Sequence, residues 1–274
     1  MLRKLMKYEL KATARVMLPF YLAVIGLAAV LLLLSLWSSH FSAPDFLALD
    51  PVHLVLRLAA VAFFLAMVAV PIAALVLMIV RFKTNLLSDE GYVMFTLPVS
   101  AHHLVWSKLL TSAVWFIGAA IVDFLGVLIL NADPGVFSGI WSGVRYLYEH
   151  LTAYYAANGV LVLAEIAVLI LLACFCECLE FYCPLAIGHS FARHKVLLSV
   201  VFYFVIQAAT QFVVVAGVSA GVPFLNGVSD SLTSLRPETF IHGSLWAGIL
   251  VTLVYGGILY AITIRNLHRR LNLE

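Results

Sequence analysis

Six runs of about twenty apolar residues leave this chain few ways to fold. They cover residues 16–37, 54–80, 104–130, 158–182, 196–217 and 244–264. A helix rises 1.5 Å per residue, so ~20 residues cross a hydrocarbon core of ~30 Å. Hydrocarbon offers no water to backbone N–H and C=O groups, so apolar spans of this length are helical. The composition fits: 64% of the chain is hydrophobic and 11% charged, against roughly 45–50% apolar in soluble domains. The expected fold class is therefore all-α, a polytopic membrane protein with six transmembrane helices. No internal repeat, low-complexity tract or linker divides the chain, so residues 1–274 read as a single transmembrane domain.

The 16 cations are unevenly placed. Arg3, Lys4, Lys7, Lys11, Arg15, Arg81, Lys83, Lys108, Arg193, Lys195, Arg265, Arg269 and Arg270 fall on one side of the six spans, and Arg57, Arg145 and Arg236 on the other. The positive-inside rule puts the first side, with both termini, in the cytoplasm. The basic residues form no cluster suited to nucleic acid. The first apolar run is too long for a signal peptide and reads as an anchor. Residues 1–15 are amphipathic, with Arg3, Lys4, Lys7, Lys11 and Arg15 on one arc and Leu2, Leu5, Met6 and Leu10 opposite, which predicts an interfacial helix. Glu9 interrupts its apolar face. It either pairs with a base elsewhere or marks the boundary.

Residues 86–103, LLSDEGYVMFTLPVSAHH, form a half-polar island between the second and third spans. Ser88 suits an N-cap, Asp89 and Glu90 suit a first helical turn, and Pro98 disfavours the α region for Leu97 and ends the helix. Ser100 is placed to cap the next helix. A short surface helix results, on which Tyr92, Met94, Phe95 and Leu97 are large and apolar. They either pack under this chain's membrane face or form a knob that another protein grips.

The strings Ser88-Asp89-Glu90-Gly91-Tyr92, Phe95-Thr96-Leu97-Pro98-Val99-Ser100 and Ser107-Lys108-Leu109 resemble the permease subunits of bacterial ATP-binding-cassette exporters. The turn GHSFARHK, from Gly188 to Lys195, resembles that family's second cytoplasmic turn, with His189, Arg193 and Lys195. The resemblance implies that residues 86–103 are a coupling helix seated on a separate ATPase, through Ser88, Asp89, Glu90, Gly91, Tyr92, Phe95 and Pro98. It implies an N-terminal elbow helix at 1–15, a bacterial plasma-membrane location and a homodimer or a pairing with a similar permease. It also implies ATP and magnesium on the partner. Residues 218–243, rich in Gly, Ser and Asn, read as an irregular outer segment, which the resemblance implies dips back into the membrane.

This chain has no Gly-Lys pair and hence no P-loop, so it is not expected to be an enzyme that hydrolyses ATP. Asp123, Glu165, Glu177 and Glu180 are carboxylates within spans, where such groups are costly and face protein or water. Asp123 and Glu165 lie at matched depth and are expected to share a site, with Arg57 as a partner. With Gln207 and Gln211 they either line a translocation path or serve as buried structural polar groups. A proton-coupled carrier using Asp123 and Glu165 is the alternative to an ATP-driven permease. Gln207, Thr210 and Gln211, spaced i, i+3, i+4, also suit interhelical hydrogen bonding. Glu177 and Glu180 are expected to meet Arg193, Lys195 or the partner.

Two further motifs carry less. Cys174, Cys176, Cys178 and Cys183 lack the loop spacing of a metal site; residues i and i+2 on a helix face apart, so they read as small hydrophobes. Gly217-Val218-Ser219-Ala220-Gly221 fits the hydrolase elbow string, and Ser219 with His242 outlines a serine protease dyad, but the motif needs a strand-turn-helix context.

The topology is testable by cysteine accessibility. In a background without the native cysteines, an impermeant reagent applied to intact cells is expected to label positions 40 and 230 and to spare position 89. Labelling of position 89 from outside reverses the orientation.

Overall fold

The computed structural model describes residues 2–38, 51–96, 98–131, 134–153, 158–191, 193–227 and 237–269. Among them are eight helices and no strands: α1 (Leu2–Ser38), α2 (Pro51–Leu87), α3 (Asp89–Thr96), α4 (Ala101–Leu130), α5 (Pro134–Ala153), α6 (Gly159–Gly188), α7 (Lys195–Gly227) and α8 (Pro237–Arg269). Six of these, α1, α2, α4, α6, α7 and α8, are long and apolar enough to cross a membrane. The chain is a six-span polytopic helical membrane protein.

The helices outrun the apolar runs that specify them. The basic segment before Val16 joins the first span in one helix of 37 residues, about 55 Å at 1.5 Å per residue. No glycine precedes Gly26 in that stretch, so nothing breaks the helix where the charge pattern ends. Its cations Arg3, Lys4, Lys7, Lys11 and Arg15 are exposed, and Glu9 is buried. The expected irregular segment at 218–243 is instead helical up to Gly227 and again from Pro237, and residues 228–236 lie outside the described set. Glycine costs only ~1 kcal/mol in a helix interior, and the apolar residues between the glycines keep α7 going. Pro19, Pro71 and Pro184 sit inside helices. Each removes one backbone hydrogen bond. The segment after α4 forms the 20-residue helix α5, whose Trp141, Tyr146, Leu147 and Tyr148 are exposed, as suits a helix lying in an interface.

A single domain is the reading from sequence; the described chain divides into two compact units. The first comprises Leu2–Met78 and Leu110–Arg145. Its core is a seam from α1, at Met17, Tyr21, Val24, Ala28 and Leu31, meeting Phe63, Val70, Ala74 and Met78 of α2 and Trp115, Ala119 and Val122 of α4. The alternating steps of four and three on α1 are the spacing by which helices interlock knobs into holes. Two polar bonds fix the seam: Trp115 Nε1 donates to Thr13 Oγ1 at 2.7 Å, and Tyr21 OH donates to the Trp115 carbonyl at 2.6 Å.

The second unit comprises Ile79–Leu109 and Tyr146–Glu274. Here α6 packs against both α7 and α8. Phe82 stacks on Tyr182 with ring centroids 4.0 Å apart, and Trp106 meets Phe175 edge-on at 5.7 Å. The α6–α7 turn is tight. A Cβ at Gly188 would lie 2.1 Å from Ser199 Oγ and 2.5 Å from its backbone nitrogen.

Gly188→Ala is therefore expected to open this turn, at a cost of about 1–3 kcal/mol typical of overpacking, and to lower the thermal midpoint in detergent. Ser199→Gly is not expected to rescue it, because the clash includes the backbone. Rescue by Ser199→Gly would show that only the hydroxyl is in the way.

Candidate functional site

The segment between spans two and three contains the short helix read from its caps. It runs Asp89–Thr96. Leu97 lies outside the described residues, as do the side chains of Asp89 and Phe95. Ser88 does not use its hydroxyl as a cap for α3. The Oγ donates to the Thr84 carbonyl at 2.6 Å, while the Ser88 carbonyl accepts from Gly91 N–H at 2.7 Å. The reason is crowding: α2 extends to Leu87, leaving one residue between helices, and the orphan carbonyls of its last turn take the hydroxyl. Gly91 is buried, whereas Tyr92 and Val93 are 51% and 67% exposed and Glu90 and Pro98 are exposed. Ser100 closes the segment, its carbonyl accepting from His103 N–H and Leu104 N–H and its hydroxyl bonding His103 Nδ1 at 2.7 Å. Ser107, Lys108 and Leu109, part of the same motif, are buried in α4.

The second turn, which follows α6, belongs to the same unit. His189 N–H bonds the Leu185 carbonyl, and its ring Nδ1 donates to that carbonyl at 2.9 Å. His194 turns the chain in the left-handed region at φ 57°, and its carbonyl then accepts Leu198 N–H at the start of α7. Phe191 stacks on Phe202, and Arg193 is exposed. Burial pushes the His189 ring below the ordinary histidine value; the Leu185 hydrogen bond opposes this, and the charges of Lys83 and Lys195 add to it.

Within the spans, Asp123 belongs to the first unit, and Glu165, Glu177 and Glu180 belong to the second. Glu165, buried on α6, pairs with His242 of α8, Nδ1 to Oε2 being 2.9 Å. Glu180 does not turn to Arg193 or Lys195. It accepts from Gln207 Nε2 of α7 and, at 3.0 Å, from Tyr255 OH of α8, whose oxygen is also 3.1 Å from Thr210 Oγ1. A carboxylate inside a helix bundle takes the donors within reach, and the cations lie beyond the end of the span. Glu177 and Gln211 are exposed. Asp123 has one carboxylate oxygen, Oδ1, buried without a hydrogen-bond partner among the described residues. Arg57 is exposed on α2.

The protease dyad is not assembled. Ser219 lies within α7 and donates to its own helix at the Ala216 carbonyl, and His242 Nδ1 faces Glu165. Among the cysteines, Cys176 donates to the Thr252 carbonyl at 3.4 Å. The Glu165–His242 and Glu180–Gln207–Tyr255 sets were not read from the sequence. Matching the depths of Glu165 and His242, both near outer ends of spans, was the one signal available for the first.

No family model matches the chain, and no solved structure matches it. A curated mouse protein, solute carrier family 35 member G1 of Mus musculus, is 32% identical over 101 residues. The match covers 36% of this chain and 27% of that protein, so the chain spans about a quarter of the relative's length.

Because His189 binds protons less readily when folded, the unfolded chain holds more of them below about pH 6.5. Its contribution to stability is present above that value and is lost as pH falls through the lowered folded value. His189→Gln is expected to flatten the fall of the thermal midpoint between pH 7 and pH 5. An unchanged slope would show that other groups govern acid lability.

Proposed function

We propose that this chain is the membrane-spanning part of a transporter in a bacterial plasma membrane, with both termini cytoplasmic. Six apolar helices with carboxylates set among them support transport. The partial similarity to a solute carrier favours a carrier that works without an ATPase. In this reading the coupling group is Glu165 with His242, since a histidine–carboxylate pair at 2.9 Å within the spans can take up and release a proton.

The surface helix favours a second reading, the permease half of an ATP-driven exporter that works as a dimer with a separate ATP-binding-cassette ATPase. Its Tyr92 and Val93 are exposed beside a buried Gly91, an arrangement suited to an aromatic anchor in a partner's groove. ATP and magnesium then belong to the partner, and the α6–α7 turn with His189, Arg193 and Lys195 is a second contact.

One set of measurements separates the readings. Currents in proteoliposomes under an imposed pH gradient, on addition of a solute panel and without any ATPase, are expected for the carrier and are expected to vanish in Glu165→Gln. For the permease, an ATPase co-purifies from native membranes, and Tyr92→Ala weakens its retention by ~2 kcal/mol, or about 30-fold, with the permease yield unchanged. Absence of gradient-driven current together with loss of the ATPase in Tyr92→Ala decides for the permease.

A further inference from the structure

At the end of the second unit where α4 begins and α8 ends, a polar recess meets an apolar groove. The recess, about 790 Å³, is lined by His102, Tyr260, Arg265 and His268. His102 Nδ1 lies 2.7 Å from Tyr260 OH, and the His102 and His268 rings are 6.4 Å apart. With Nδ1 accepting the tyrosine proton, Nε2–H of His102 is left as a donor. Arg265 and His268 are exposed, and Arg265 makes no ion pair among the described residues. Among the described residues, no acidic side chain lines the recess.

The groove, about 290 Å³, runs from Tyr260 towards the middle of the same helices, between Trp106 of α4, Phe175 and Cys176 of α6, and Gly256 and Gly257 of α8. Its lining is almost wholly apolar, and Trp106 and Gly257 are exposed, so it opens at the surface of the spans. Two glycines make it. A Cβ at Gly256 would lie 2.8 Å from Cys176 Sγ, so that glycine lets α8 approach α6. Gly257 has nothing within 4 Å of its Cβ position, which leaves the groove hollow.

Tyr260 lines both spaces, so the two form one amphipathic site. His102 and Trp106 are one turn apart on α4, and Tyr260, Ile264 and His268 are successive turns of α8. Cations therefore sit at the end of a span, directly beyond an apolar slot that faces lipid. We propose that this site binds an anionic phospholipid, with its phosphate at His102, Arg265 and His268 and an acyl chain in the slot. The charge selects the lipid. A neutral tail alone has no use for the cations, and a soluble phosphate has no use for the slot. Basic pockets between helices at this level of a membrane hold headgroups by the same logic. By the charge count along the sequence, the side is the one that carries most of the chain's cations. This inference does not depend on how transport is driven.

The test is lipid titration of the detergent-purified chain, read as the thermal midpoint and as bound lipid in native mass spectrometry. Phosphatidylglycerol is expected to raise the midpoint and to remain bound, and phosphatidylcholine to do neither. Arg265→Gln is expected to lower the apparent affinity about tenfold. Gly257→Leu, whose Cβ has no atom within 4 Å and whose side chain is sized to occupy the slot, is expected to lower it likewise. Arg193→Gln, which removes a cation elsewhere in the unit, is expected to change nothing. Equal response to the two lipids, equal loss in Arg193→Gln, or full competition by inorganic phosphate would each overturn the proposal. If Gly257→Leu fails to fold, the Arg265→Gln and Arg193→Gln comparison in native mass spectrometry decides it.

Discussion

A carboxyl group in hydrocarbon without a donor costs several kcal/mol, and the second unit is arranged around avoiding that cost. Glu180 draws a side-chain donor from α7 and another from α8, so one residue of α6 ties together three spans. Glu165 does the same towards the outer end, through His242. With lipid on all sides there is no hydrophobic effect to hold helices together, and packing and hydrogen bonds across helices take its place. The apolar contacts at this unit's other end, Phe82 on Tyr182 and the close pass of Gly188 at Ser199, keep the same helices aligned where they leave the membrane.

The first unit solves the same problem with fewer polar groups. Its seam is aliphatic and aromatic, and buried side-chain bonds that join Thr13, Trp115 and Tyr21 cross between α1 and α4 in it. Among the described residues of this unit, Asp123 Oδ1 is the one carboxylate oxygen buried without a donor. The surface segments gather on the second unit. The helix α3, the α6–α7 turn and the recess at His102 and Arg265 all belong to it.

Six spans, their helical state and their approximate limits were legible in the sequence, because a run of about twenty apolar residues has one stable form in a bilayer. The short helix at 89–96 was legible from its flanking signals. Pro98 and the acidic first turn act through neighbours in the chain, so the sequence states them directly. The cap was misread at one atom, the Ser88 hydroxyl, since its partner Thr84 became available only because α2 continued past its apolar run. For the same reason the segment expected to be irregular, 218–243, proved helical at both ends: helix persists once nucleated, and the scattered glycines are a small cost against it.

What the tertiary structure alone decided is which polar groups meet. Depth along a span fixes only one coordinate of a residue such as Glu165, and the rotation and neighbours of its helix fix the others. Packing brought His242 to Glu165, and Gln207 and Tyr255 to Glu180, from positions 27 to 77 residues away in the chain. The recess and slot around Tyr260 arise in the same way, from α4 and α8 helices separated by 158 residues at His102 and Tyr260. Periodicity along one helix says which face is apolar; it cannot say which other helix that face will find.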